Sequence, residues 1–170
     1  MRIFVVGIML LLVHVMDAAL VDVIRIGDIA PNFMIMIIVS FALLRGSKEA
    51  TIIGCVSGIL HDISFGIALG PMILIYSLIG YICGKFNANF YRENFILPFL
   101  CTMFSSFALS FYHMLNFIMR GKLNFLFFVR SIIIPELIYT ITLSLIVYQL
   151  MYLINEKLEV YERKTRNIFD

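Results

Sequence analysis

Eight ionisable residues interrupt otherwise apolar stretches of this 170-residue chain: His14, Asp17, Asp22, His61, Asp62, His113, Arg130 and Glu136. Carboxylates and imidazoles in such surroundings are the groups that hold metals, move protons or activate nucleophiles. Most of the spacings that this chemistry requires are missing. A zinc peptidase needs His-Glu-x-x-His, which sets two imidazoles one helical turn apart; His61 is followed by Asp62, and no histidine lies four residues on. An intramembrane serine protease wants Gly-x-Ser-Gly, whereas the run here is Gly54-Cys55-Val56-Ser57-Gly58, one residue too long. Ser57 and His113 make a dyad that almost any chain could offer. A proton or ion relay of the transporter kind is the remaining chemical reading. Internal pairing, with Asp62 or Glu136 satisfied by Arg130 or a histidine, accounts for the same residues more simply and is preferred. No catalytic residue, metal ligand or cofactor site is therefore assigned. Cys55, Cys83 and Cys101 are odd in number, far apart and set in apolar runs, so they read as free thiols that pack like small hydrophobes.

A second pattern concerns packing. Gly54, Gly58, Asp62, Gly66 and Gly70 recur every four residues. Each such step drifts about 40° around a straight helix, so three or four consecutive members share a face. Gly54 and Gly58 form a small-xxx-small surface for close helix approach, and Asp62 continues it one turn on. Gly66, Gly70 and Pro71 are expected to break the helix and turn it toward Gly80 and Gly84. Packing inside the chain is the preferred use of this face; packing against a partner's helix is the alternative.

The elements that must carry these residues follow from composition. Residues of the set AVILMFWYC make up 62% of the chain and charged ones 14%, with a mean hydropathy of +1.00. Soluble domains run about 45–50% apolar and about 25% charged, so a bilayer must cover the excess. That composition excludes a disordered chain, a secreted disulfide scaffold and a nucleic-acid binder, and a net charge of +2 offers a polyanion little. Charges, glycines and prolines divide the chain into six apolar segments: Ile3–Ile24, Ile29–Leu44, Ala50–Leu69, Pro71–Gly84, Phe95–Met119 and Phe125–Ile154. The expected architecture is an all-α integral membrane protein of about six transmembrane helices over residues 1–154, with a polar cytoplasmic tail over 155–170. The N-terminus has the charged and apolar regions of a signal peptide, but with everything downstream also apolar an uncleaved first span is simpler. Segments 29–44 and 71–84 fall short of a ~30 Å hydrocarbon core and should be wrapped by protein. The last segment is too long for a straight span and should tilt or run into water.

Orientation follows from the basic residues. With the N-terminus in the cytoplasm, Arg2, Arg45, Lys48, Lys85, Arg92, Lys157, Arg163, Lys164 and Arg166 lie inside, nine against the three outside, Arg25, Arg120 and Lys122. Both termini are then cytoplasmic. The rise per residue puts His14 and Asp62 about 18 Å, and His113 about 27 Å, from the cytoplasmic starts of their spans. Glu136 comes about 16 Å in from the outside, so the polar residues gather in the outer half.

Pro31-Asn32-Phe33, Leu44-Arg45-Gly46, Gly54, Gly58-Ile59-Leu60-His61-Asp62, Phe65-Gly66, Leu69-Gly70, Tyr76 and Ile79-Gly80-Tyr81-Ile82-Cys83-Gly84 form an ordered block. That block closely resembles the rod shape-determining MreD family, whose pattern has Pro-[Asp/Asn], an Arg-Gly turn, a Gly-x-x-x-Gly span ending in Asp, Leu-Gly and Gly-Tyr-x-x-Gly. Two residues depart from the usual pattern: Asn32 stands where Asp is commoner and His61 where leucine is typical. The resemblance implies a non-enzymatic inner-membrane member of the bacterial elongation machinery. Its implied partners are an MreC-like membrane protein and, through it, MreB filaments, RodA and a class B penicillin-binding protein. The family fold also resembles the six-helix substrate-binding subunit of energy-coupling-factor transporters, so a vitamin-type binder is the rival expectation. The minimal outer loops offer such a binder little to form a lid.

Overall fold

The computed structural model describes residues 2–24, 31–65, 70–89, 96–119, 130 and 133–169, and among these it is helical with no strand. The helices are α1 (Arg2–Ile24), α2 (Phe33–Arg45), α3 (Ser47–Phe65), α4 (Pro71–Lys85), α5 (Ile96–Met119) and α6 (Ile134–Phe169), with a short 3-10 turn at Phe86–Asn89. Two of them hold stretches long and apolar enough to cross a bilayer, Ile96–Asn116 and Ile134–Lys157; Val6–Asp17, Phe33–Arg45 and Pro71–Lys85 are shorter apolar helices.

α2 is the hub. It packs against α1, α3, α4, α5 and α6, and every residue from Met34 to Leu44 is buried. At 13 residues it is about 20 Å long, too short to leave its ends in lipid without cost. Its neighbours cover it on all sides. α4, the other short segment, is covered on one side only: Met72, Tyr76, Ile79 and Cys83 are buried, while Leu74 is 73% exposed and Leu78 59%.

The bundle is apolar on its outside as well as in its core, and small hydroxyl residues lie among the buried ones. Large apolar side chains such as Leu12, Ile63, Phe104, Phe107 and Ile138 face outward, whereas Ser57, Thr102, Ser105, Ser110, Thr140 and Ser144 are buried. Several hydroxyls bond back to their own helix: Ser40 to the Met36 carbonyl at 2.6 Å, Thr102 to Pro98 at 2.7 Å and Ser144 to Ile141 at 2.7 Å. Such pairing lets a hydroxyl sit in an apolar interior without an unmet hydrogen bond.

Boundaries differ from the apolar segments where a specific residue sets them. α2 begins at Phe33 instead of Ile29 because Pro31 and Asn32 form its start. The last helix is described from Ile134, with Pro135, which has no N–H to give, in its first turn. Residues 125–129 and 131–132 of the expected last segment lie outside the described residues. At the other end α6 continues unbroken past Ile154 to Phe169, so the backbone has no break where the polar tail was expected to start.

Candidate functional site

The glycine pattern resolves into one interface between α3 and α4. A Cβ built at Gly54 would strike the Tyr76 carbonyl, and one at Gly58 would strike the Ile73 backbone. From the other side, Gly80 lies on the Ala50 carbonyl and Gly84 on Ser47. Two glycines from each helix thus bring the backbones into direct contact, closer than any other residue permits. This face is filled by the chain's own helices. The turn of the hairpin is closed by Asp62, 4% exposed, whose Oδ2 accepts the Gly70 N–H at 2.8 Å. Gly70 itself has φ +129, a conformation that glycine tolerates, and Pro71 then starts α4. Gly66 lies outside the described residues. Asp62 therefore accepts a backbone donor and also lies within electrostatic reach of His61.

The other ionisable residues meet around the start of α2. Asn32 is its N-cap: Oδ1 accepts the Ile35 N–H at 3.0 Å, and the Asn32 N–H reaches Thr140 Oγ1 of α6 at 3.4 Å. Asp17 of α1 adds a second acceptor, its Oδ1 taking the Phe33 N–H at 3.2 Å. A carboxylate at that position also complements the positive end of the helix dipole. Pro31 is buried immediately before the cap. Below the cap stands Tyr76, fully buried, with its hydroxyl beside Asn32 and within electrostatic reach of Asp17, Asp62 and Glu136. His61 meets Tyr76 edge-on, ring centroids 5.9 Å apart at 82°. His14 Nε2 and Ser64 Oγ share a hydrogen bond of 2.7 Å that ties α1 to α3. His14, Asp17, Asn32, His61, Asp62, Tyr76 and the half-buried Glu136 therefore share one end of the bundle. His113 lies on the exposed face of α5, its ring tilted against that of its neighbour Tyr112 and within electrostatic reach of His61, and Arg130 is exposed. The Asp22 side chain lies outside the described residues.

The opposite end of α2 has its own polar cluster. Arg45 Nε donates to Asn155 Oδ1 of α6, and Asn87 Nδ2 donates to the Leu43 carbonyl. Gly46, at φ +89, turns the chain into α3 while its N–H bonds the Ala42 carbonyl at 3.0 Å. Lys85 Nζ sits 4.6 Å from the centroid of the Tyr81 ring. Sequence reasoning missed Asn87, Asn155, Thr140 and Ser64. The signal for Asn155 was present: it extends the buried row Thr140, Ser144, Tyr148, Met151 at helical spacing. Asn87 looks like any loop asparagine.

Chemically, both clusters supply donors and acceptors to helix ends. Among the described residues no group of three or more His, Cys, Asp or Glu is placed to hold a metal ion. No curated protein and no solved structure matches the chain. Residues 1–158 match the family described as rod shape-determining protein MreD, nearly the whole length, and this chain belongs to that membrane-protein family.

Proposed function

We propose that this protein is a non-enzymatic scaffold of the bacterial cell-elongation machinery in the inner membrane. It associates with an MreC-like membrane protein, and through it with MreB filaments, RodA and a class B penicillin-binding protein. The observation that carries this reading is the family match over residues 1–158. The polar chemistry supports it: Asp17, Asn32 and Asp62 accept backbone N–H groups at helix ends, work that builds a rigid bundle. The apolar outer faces of α3, α5 and α6 suit lipid and the transmembrane helices of partners.

In this reading the chain spans the membrane about six times with both termini in the cytoplasm, as the basic residues favour. Depleting the protein in its host should turn rods into spheres, and an MreC-like protein should co-purify with it. Unchanged cell shape together with lost vitamin uptake would overturn the scaffold in favour of a transporter subunit. A fluorescent protein fused after Asp170 should be bright; periplasmic phosphatase activity from that site would reverse the orientation.

A further inference from the structure

Cys83 and Cys101 lie 18 positions apart in sequence, yet the fold brings them together. Cys83 points from α4 toward α5, where its Sγ lies 3.5 Å from Ser105 Oγ. Cys101 stands one turn before Ser105 on the same face of α5, which places it beside the Cys83 side chain. Both are reduced and buried, at 5% and 6% exposure. Cys55 is on α3, half-buried and separate. The pair lies near one end of the bundle: Cys83 is two residues before Lys85, about 3 Å of rise, and Cys101 five after Ile96, about 7.5 Å.

We propose that Cys83 and Cys101 are a site of oxidative modification, closing to a disulfide that fastens the end of α4 to the start of α5. The oxidant must be small, neutral and able to take two electrons; a peroxide meets all three conditions. One thiol attacks the peroxide to give a sulfenic acid and water, and the second thiol displaces hydroxide from it, so two thiols and one hydrogen peroxide yield one disulfide and two waters. Large reagents are excluded by burial. Closure would covalently bind the α3–α4 hairpin to the α5–α6 half of the bundle, which α4 otherwise meets only along a narrow contact.

The test uses the full-length protein in native membranes. After treatment with hydrogen peroxide it is denatured and alkylated with a maleimide, and its free thiols are counted by mass spectrometry. Without oxidant three thiols should be labelled; with it, one, at Cys55, and a reductant should restore all three. The oxidised protein should also melt at a higher temperature, because the bridge restricts the unfolded chain. In Cys55→Ser the count should fall from two to none. Should Cys83 and Cys101 stay free, should either form sulfinic acid instead, or should Cys55 cross-link to a second copy first, the pairing is refuted.

Discussion

Gly58→Ala isolates the energetics of the α3–α4 contact. A methyl group there would lie 2.7 Å from Ile73 N and from the Met72 carbonyl oxygen, and both are backbone atoms that no rotamer change can move. Ordinary contacts between heavy atoms fall at about 3.5–4.0 Å, so the helices must separate by roughly 1 Å. Overpacking of this kind costs about 1–3 kcal/mol. Against it stands the better helix propensity of alanine, about 1 kcal/mol. Gly7→Ala on α1 carries the same propensity gain with nothing within 4 Å of the new Cβ. The difference between the two variants therefore isolates the clash. In a thermal melt in detergent, Gly58→Ala should unfold roughly 2–12 °C below Gly7→Ala. Adding Gly54→Ala should cost less in the Gly58→Ala background than alone, since the helices have already parted. Equal melting temperatures for Gly58→Ala and Gly7→Ala would refute the close approach.

Asp62→Leu removes the acceptor of the Gly70 N–H and should lower the folded level in membranes, by about 1–3 kcal/mol, with Asp62→Asn milder; normal accumulation with lost co-purification of an MreC-like protein would instead assign Asp62 to a partner contact. Asn32→Ala should destabilise by about 0.5–2 kcal/mol in the same melts, and Asn32→Asp should be tolerated because it keeps the capping oxygen; equal loss in both would exclude capping as its role. Asn155→Leu removes the acceptor of the Arg45 Nε–H and should cost about 1.5–3 kcal/mol, whereas a polar-tail residue would tolerate the change.

The sequence made the apolar runs legible because membrane helices carry their signal in composition alone, with little need of tertiary context. Single residues mark helix starts within those runs: Asn32 caps α2 and Pro135 sits in the first turn of α6. Gly54 and Gly58 announced a close approach, but that Gly80 and Gly84 form the other side of it depends on the hairpin's register. Cys83 and Cys101 read as distant because their contact arises between two helices, and no local period encodes that. Asn155 was assigned to water by the charges that follow it, while its own position on the helix turns it inward.

The start of α2 is tied to Thr140 through the Asn32 N–H, and its end to Asn155 through the Arg45 side chain, 108 and 110 residues further along the chain. During synthesis these partners arrive last. At about 5–20 residues per second, the ribosome needs roughly 5–20 s after finishing α2 to deliver them. For that interval the hub of the bundle has its local caps but lacks its ties to the last helix. Neighbouring helices can gather around it in order, yet completion waits for the final one. The molecule therefore closes from its C-terminal helix inward, and a chain interrupted before Glu136 leaves the centre, not the edge, unfinished.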